Sequence, residues 1–284
     1  MNLPKVSVLV PCYNHANYVL KCLESIQTSY VGEIEVIICD DNSKDNSVKK
    51  IEDFISATSR ENITYTLIKH EENKGVSETL NDCFAQSTAD FIYTIASDDY
   101  FLKNGITQAM NILLETSADA VISDCVVVDE NNILVHASAF FEYRHASLTK
   151  LQKNISRELV FNWVVPGPAL LQKKTTLISL NGYSKNLMAE DRDYYLRLLA
   201  TKKVVFNKGT VACYRVHTHN ASKSQIYLSK AKQEFSIVNY NSHVLYDGLA
   251  KYYLKSYWLD LNNIPGFLAS HIRKLIKAMY IIRG

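Results

Sequence analysis

Short apolar runs rich in β-branched residues recur at nearly constant spacing through the first half of the chain. They begin at Val6, Ile34, Ile63, Phe91 and Ala120, so that successive starts lie 28, 29, 28 and 29 residues apart. Between them, apolar residues recur at helical spacing. These residues are Val19, Cys22, Leu23 and Ile26; Val48, Ile51, Phe54 and Ile55; Val76, Leu80, Cys83 and Phe84; and Ile106, Met110 and Leu113. Because a strand, a helix and two turns occupy about thirty residues, this rhythm predicts right-handed βαβ units and a mainly parallel sheet with helices on both faces.

Polar, turn-forming segments follow four of the predicted strands. They span residues 11–15, 40–43, 72–75 and 97–99. In a parallel sheet the ligand crevice lies beyond the carboxyl ends of the strands, so we expect these segments to border a binding site. Asp, Asn and Ser are also ordinary helix caps and turn formers, and for residues 43–46 capping of the next helix is an equally good interpretation.

Two pairs of adjacent acidic residues, Asp98-Asp99 and Glu190-Asp191, follow apolar segments. Neighbouring carboxylates repel each other, so such pairs occur mainly where a cation or a proton is handled. We expect the pairs to serve one pocket, with Asp99 on the metal side and Asp191 opposite it on the proton side. The alternatives are a strand-end turn for the first pair and, for the second, simple complementation of a helix dipole.

Beyond residue 128 the rhythm is lost, and Asn131-Asn132 has the composition of a hairpin turn. We therefore divide the chain into a nucleotide-binding half, 1–128, and a more irregular acceptor-facing half, 129–222. A helical C-terminal extension, 223–284, follows them.

The last part of the chain is basic and amphipathic. Residues 261–284 contain no acidic residue. Apolar residues at helical spacing predict a helix with one apolar face and a basic opposite face; they are Leu268, Ile272, Leu275, Met279 and Ile282. This pattern favours peripheral contact of residues 266–284 with an anionic membrane surface. Packing on its own domain or on a second subunit is the alternative.

Composition narrows the class of protein. The chain has 284 residues, 47% of them hydrophobic and 21% charged, with a net charge of +2. These values are typical of a soluble globular protein and give no indication of a nucleic-acid partner. The six cysteines are widely spaced, without a Cys-x-x-Cys motif, which predicts reduced core thiols. No secretory signal or spanning apolar stretch is visible, so we expect a cytoplasmic protein.

Six segments in order resemble the family 2 glycosyltransferases of the GT-A fold, which are inverting enzymes that build bacterial surface polysaccharides, among other products. The segments are 6–14, 36–43, 73–75, 96–99, 182–183 leading to 190–191, and 214–220. The resemblance covers about residues 5–222. It implies an α/β fold with a Rossmann-like, mostly parallel sheet flanked by helices. It also implies sugar transfer from a nucleotide donor, a UDP-sugar, to a saccharide acceptor, lipid-linked, in capsule, O-antigen or similar assembly.

The resemblance also implies roles for individual residues at the donor. Tyr13 lies against the uracil face, and Asp40 accepts a hydrogen bond from the uracil imide N–H, which selects against cytosine. Asp98 holds the ribose hydroxyls, and Arg215 meets diphosphate oxygens. The other donor-binding residues are Pro11, Asn14 and Glu190.

The chemistry requires a cation and a base. By the same resemblance Asp99 binds a divalent cation that bridges the phosphates, and oxygen ligands favour Mn²⁺ or Mg²⁺. His217 completes the metal shell or contacts the phosphate, and the alternative is a surface loop with incidental histidines. Asp191 is the implied catalytic base, which takes the proton of the acceptor hydroxyl. Trp163 is a sugar-stacking wall or a core aromatic residue.

One departure from the family pattern and two rival functions were weighed. Leu80 precedes Asn81 where many relatives carry Arg, which removes one phosphate contact. A sugar-phosphate nucleotidyltransferase is the first rival, but it needs a glycine-rich loop after the first strand, and residues 11–17 contain no glycine. A non-catalytic nucleotide-sugar-binding subunit is the second, and it would tolerate loss of the acidic residues that this chain retains.

Overall fold

The computed structural model describes residues 3–218, 225–262 and 264–282. In this part of the chain the strands are β1 (Val6–Cys12), β2 (Ile34–Asp40), β3 (Ile63–Lys69), β4 (Phe91–Thr94), β5 (Tyr100–Phe101), β6 (Ala120–Val128), β7 (Leu134–His136), β8 (Leu170–Lys173) and β9 (Val204–Arg215). The five strand starts predicted from the apolar rhythm are all confirmed.

The helices of the first half are α1 (Val19–Ser29), α2 (Ser47–Ala57), α3 (Val76–Gln86) and α4 (Gly105–Thr116). The later ones are α5 (Leu148–Lys153), α6 (Ile155–Phe161), α7 (Lys174–Ser179), α8 (Glu190–Thr201), α9 (Gln225–Ser242), α10 (Gly248–Lys255), α11 (Trp258–Leu261) and α12 (Gly266–Ile282). The predicted boundary between residues 222 and 223 lies outside the described residues.

One mixed sheet organises the described structure, in the order β3-β2-β1-β4-β8-β6-β9-β5, with β7 paired to β6. Strands β3, β2, β1 and β4 are mutually parallel, as are β6 and β9. Strand β8 is antiparallel to both β4 and β6 and separates them. Strand β6 therefore keeps the direction of β4 but does not lie beside it, because a strand from the irregular half inserts between them. The fold as a whole is the predicted α/β, GT-A-like architecture with C-terminal helices.

The apolar faces predicted for the first helices form the core on the sheet. Val19, Cys22, Leu23 and Ile26 of α1 are fully buried. All six cysteines are buried and none is in a disulfide, as expected of core thiols. The hairpin turn at Asn131-Asn132 is also confirmed, since Asn132 has a positive φ of 66° and β7 pairs with β6.

The C-terminal helices pack on α6 and α8 through a second apolar cluster. It joins Val160 and Phe161 of α6 and Leu196 of α8 to Val238, Tyr253 and Leu254. Helix α12 lies over this cluster, with the ring of Tyr280 stacked on Phe161 at 4.3 Å.

The amphipathic character of α12 is confirmed, but its orientation is unusual. Two of its basic residues face the protein, since Arg273 pairs with Asp260 at 2.9 Å and Lys277 donates to Asn162 at 3.1 Å, whereas Lys274 is exposed. The apolar stripe faces outward and comprises Leu268, Ile272, Leu275 and Met279. Of the helices that the structure describes, none has the length and hydrophobicity that crossing a bilayer requires.

Candidate active site

A cleft of about 560 Å³ lies beyond the carboxyl ends of β1, β2 and β4. Its lining residues are Pro11, Cys12, Tyr13, His15, Asp41, Asn73, Gly75, Val76, Thr79, Ala96, Asp98, Leu187, Met188 and Glu190. The polar strand ends predicted to border a binding site therefore meet here. Both acidic pairs contribute, through Asp98 and Glu190, whereas Asp99 and Asp191 are not among the lining residues.

Asp98 is the carboxylate of the first pair that reaches the cleft. Its Oδ2 lies 3.0 Å from Nε2 of His217 and 3.8 Å from Nε2 of His15. Burial alone would raise the pKa of Asp98, but the hydrogen bond from His217 and the charges of both histidines lower it below the ordinary value. Asp98 is thus held as an anion, as a cation ligand must be.

Asp99 points into the interior instead. It is 2% exposed, and its Oδ1 accepts a hydrogen bond from the backbone N–H of Arg215 at 2.7 Å. Burial and the adjacent charge of Asp98 raise the pKa of Asp99 well above its usual range. The predicted placement of Asp99 on the wall of the pocket is therefore not what the structure has, and its role as a metal ligand stays a prediction.

The residues fit a divalent cation. One ligand atom from each of His15, Asp98 and His217 lies within 4.8 Å of the other two, and no second such group occurs among the described residues. Two imidazoles and a carboxylate resemble the sites of transition metals more than those of Mg²⁺, which takes mainly oxygen ligands. His15 was not predicted; its position directly after Asn14, in a strand-end segment, was the available signal.

Arg215 lies behind the site. Its side chain is 1% exposed and donates to the backbone carbonyls of Asp98 at 2.7 Å and Asp129 at 3.1 Å, and to Oδ1 of Asn132 at 2.9 Å. The guanidinium also packs on the ring of Tyr18 at 4.9 Å. These contacts differ from the predicted diphosphate contact: Arg215 fixes the Asp98 turn and the 129–132 hairpin to each other.

Of the residues predicted to bind the donor nucleotide at the ends of β1 and β2, two line the cleft and two do not. Pro11 and the exposed Tyr13 line the cleft. Asp40 is 1% exposed, and its two oxygens accept from the backbone N–H and the hydroxyl of Ser43, at 2.8 and 2.6 Å. Asn14 holds the same loop, since its Oδ1 accepts from the backbone N–H of Lys44 at 2.7 Å. Neither Asp40 nor Asn14 lines the cleft.

Asp41 is the carboxylate that lines this end of the cleft. It accepts hydrogen bonds from the backbone N–H groups of Lys74 and Gly75 and from Nδ1 of His70, each at 2.8 Å. A carboxylate has about four acceptor positions, so one remains on Oδ2. The other ring nitrogen of His70, Nε2, lies 2.9 Å from Oδ2 of the partly exposed Asp82. The doubled acid at 40–41 was the sequence signal for Asp41, whereas nothing nearby singled out His70.

The second acidic pair lies in the first turn of α8, as predicted. Burial and the charges of Asp191 and Glu234 raise the pKa of Glu190 well above its ordinary value. Asp191 is reached by solvent, but dense protein around it raises its pKa as well. The backbone N–H of Arg192 and the charges of Arg192 and Arg144 offset part of that rise.

A residue of the C-terminal extension supports this turn. Oε2 of Glu234, on α9, accepts from the backbone N–H of Met188 at 2.6 Å and of Ala189 at 3.3 Å. These N–H groups lie just before α8, so Glu234 fixes the segment that carries Met188 and Glu190 into the cleft. Sequence reasoning missed Glu234, because its partners are 45 residues or more away.

Comparison with known proteins agrees with this geometry. The family model for Glycosyl transferase family 2 matches residues 7–171. An uncharacterized glycosyltransferase of Rickettsia typhi is 24% identical over 97% of this chain and 91% of its own length. The glycosyltransferase GlyG of Streptococcus pneumoniae is 26% identical over 80% of this chain and 76% of its own.

Two solved structures have a similar fold. Residues 1–349 of S. aureus TarS, in complex with UDP-GlcNAc, superpose with a TM-score of 0.67 at 19% identity, covering 90% of this chain and 71% of that one. The mannosyltransferase PcManGT from Pyrobaculum calidifontis, with GDP-Man and Mn²⁺, has a TM-score of 0.67 at 17% identity, covering 100% and 77%. With a family match over more than half of its length, this chain belongs to glycosyl transferase family 2 and is a glycosyltransferase.

Proposed function

We propose that this enzyme transfers a sugar, with inversion and with the help of a divalent cation, from a UDP-sugar to a saccharide acceptor that is lipid-linked, in the assembly of a cell-surface polysaccharide. One observation carries the proposal: residues of both acidic pairs, Asp98 and Glu190, line the same cleft. Two solved structures of similar fold support it, one in complex with UDP-GlcNAc and the other with GDP-Man and Mn²⁺. We further propose residues 1–222 as the transferase domain and 223–284 as its helical extension.

The nucleotide would occupy the Tyr13 side of the cleft. Tyr13 offers a ring to the face of the base, and the remaining acceptor position on Asp41 suits an imide N–H. We therefore transfer to Asp41 the uracil-reading role first assigned to Asp40, whose two oxygens already bind Ser43.

Asp98, His217 and His15 would hold the cation. Their mixed imidazole and carboxylate set favours Mn²⁺ over Mg²⁺. A cation bound there would offset negative charge that develops on the departing diphosphate. Ser97 accepts or donates at Nδ1 of His15, 2.8 Å away, which leaves Nε2 on the side of Asp98.

Asp191 would act as the base. Its raised pKa increases its affinity for the proton that the acceptor hydroxyl loses. Glu190, on the cleft side of the same helical turn, would face the donor sugar.

A panel of nucleotide sugars with Mn²⁺, assayed for release of nucleoside diphosphate, tests the proposed donor without any acceptor. We expect release from one or a few UDP-sugars, and loss of release when the cation is chelated. Release in chelator equal to that with Mn²⁺ would reject the cation requirement, and release only from GDP-sugars would reject the uracil assignment.

Peripheral membrane contact through α12 is a separate part of the proposal. The outward stripe includes Leu268 and Leu275, which are 44% and 61% exposed. We expect Leu268→Glu with Leu275→Glu to abolish co-sedimentation with vesicles containing anionic lipid. Val31→Glu is the control, because Val31 is 67% exposed but lies within residues 1–128, outside α12. Sedimentation of the double variant like that of wild type would exclude this surface.

A further inference from the structure

A second cavity, of about 420 Å³, lies between the 144–150 segment, the end of α6 and the C-terminal helices. Its volume is in the range of sites for small molecules. Aromatic rings form much of its wall: Trp163, Phe235, Tyr253 and Tyr257. Trp163 is only half-buried, so part of its ring is available to a ligand. Aromatic faces pack well against the apolar C–H faces of sugar rings.

A buried carboxylate in the same wall has one oxygen that accepts no hydrogen bond. Glu158 is 2% exposed, and its Oε1 accepts from Nδ2 of Asn162 at 2.8 Å. Its Oε2 accepts no hydrogen bond in the part of the chain that the structure describes, and the hydroxyl of Tyr280 lies near enough to interact with this carboxylate. An unsatisfied buried carboxylate oxygen is costly, so such an atom in a cavity wall points to a ligand hydroxyl that donates to it.

The cavity also carries an excess of positive charge. Arg144, Lys150 and Lys277 line it, against the single carboxylate of Glu158. Lys277 already donates to Asn162 inside the cavity. Arg144 and Lys150 are exposed, so they are accessible to an anionic group at the rim.

This cavity comes near Asp191 through two arginines. The guanidinium carbon of Arg192, the residue after Asp191, is 5.2 Å from the centre of the Trp163 ring. Arg144, at the rim, is close enough to act electrostatically on Asp191. Glu190 lines the first cleft, whereas Asp191 is a lining residue of neither cavity.

We propose that this second cavity is the acceptor site and that it takes a saccharide bearing an anionic group, a phosphate or a carboxylate. The inference rests on the proposed function of the first cleft as the donor site. The sugar ring lies on Trp163, a ring hydroxyl donates to Glu158, and the anion meets Arg144 and Lys150. Another hydroxyl oxygen attacks the anomeric carbon of the donor and gives its proton to Asp191, while the bond from that carbon to the diphosphate oxygen breaks and the nucleoside diphosphate leaves.

Tryptophan fluorescence can test the site without any donor. The chain has two tryptophans, so in a Trp258→Phe background Trp163 is the only reporter. Glucose 1-phosphate, glucuronic acid and glucose would be titrated at millimolar concentrations. We expect saturable quenching by one or both anionic sugars and at least tenfold weaker binding of glucose. A preference for the phosphate or for the carboxylate identifies which anion the acceptor carries.

Variants in the same background separate the contacts. The double variant Arg144→Ala with Lys150→Ala should bind the anionic probe about tenfold or more weakly than its parent. Glu158→Gln should also bind the probe more weakly. Lys208→Ala, an exposed charge outside the cavity, is the control and should have no effect. Absence of quenching by both anionic probes would overturn the site, and equal binding of glucose, or an unchanged double variant, would overturn the anionic acceptor. Donor hydrolysis in the first cleft is measured separately, so failure of one proposal is distinguishable from failure of the other.

Discussion

Oε2 of Glu234 lies 2.6 Å from the backbone nitrogen of Met188, and this contact ties the C-terminal helix α9 to the wall of the cleft. Met188 lines the cleft, and the acidic pair begins two residues later. The extension is therefore part of the machinery that positions Glu190 and Asp191.

Replacement of Glu234 tests this positioning role. We expect Glu234→Ala to lower kcat about tenfold or more, because two backbone donors lose their acceptor and the start of α8 shifts. Glu234→Gln keeps an acceptor oxygen and should retain most of the activity. Gln233→Ala, an exposed neighbour on the same helix, is the matched control. Equal activity of the Ala and Gln variants would show that the hydrogen bonds do not position the site.

The role of Asp191 can be tested by substitution and by pH. We expect Asp191→Asn to lower transfer by about 100-fold or more while UDP and Mn²⁺ still bind, because only the proton acceptor is lost. Since its pKa is raised, wild-type activity should fall on the acidic side at a pH above that of an ordinary Asp. The Asn variant should lack that acidic limb. Full activity of Asp191→Asn would place proton removal elsewhere, with Glu190→Gln as the next variant.

Glu35 provides a prediction about stability. Burial alone would raise its pKa, but hydrogen bonds from Ser7 and Thr88 and the ammonium of Lys5 at 2.9 Å lower it from 4.5 to about 2. Because the pKa of this carboxylate is lower in the folded state than in the unfolded state, the ionised group stabilises the fold at pH values above the unfolded-state pKa. This stabilisation is lost as the pH falls from about 4.5 to about 2. The shift corresponds to roughly 3 kcal/mol at neutral pH.

Urea unfolding of Glu35→Gln checks this. We expect a free energy of unfolding lower than that of wild type at pH 7, with a difference that shrinks below pH 4.5. Glu24→Gln, at an exposed position, should show no such pH-dependent difference. A gap between Glu35→Gln and wild type that stays constant down to pH 2.5 would contradict the assignment.

Local patterns in the sequence predicted most of the secondary structure of residues 1–128. Apolar periodicity located β1 to β4, β6 and the first four helices, because each of these elements buries a face defined by its own residues. The insertion of β8 between β4 and β6 was not predictable in this way. It depends on pairing between Leu170–Lys173 and strands some fifty to eighty residues earlier.

The candidate site was likewise predictable where local sequence determines it and not where distant residues do. The two acidic pairs were identified correctly as contributors to one cleft, but the member of each pair that lines it was not. In the second pair Glu190 lines the cleft rather than Asp191, and in the first pair Asp98 does so rather than Asp99. The choice in the first pair depends on the backbone N–H of Arg215, which donates a hydrogen bond to Asp99 although it lies 116 residues further along the chain. Asp40 and Asp41 differ for a similar reason. Ser43 binds Asp40, whereas the backbone N–H groups of residues 74–75 orient Asp41. Such choices between neighbours are made by tertiary contacts that periodicity does not encode.

The most direct test of the account is calorimetric titration of UDP into wild type, Asp98→Asn and Asp99→Asn, with Mn²⁺ and with chelator. We predict that Mn²⁺ tightens UDP binding by wild type at least about tenfold and that Asp98→Asn loses this gain, because Asp98 is the carboxylate that faces the cleft. Loss of the gain in Asp99→Asn as well would support the original assignment of Asp99 as a ligand. An Asp98→Asn enzyme that binds UDP with the full Mn²⁺ dependence of wild type would contradict the account.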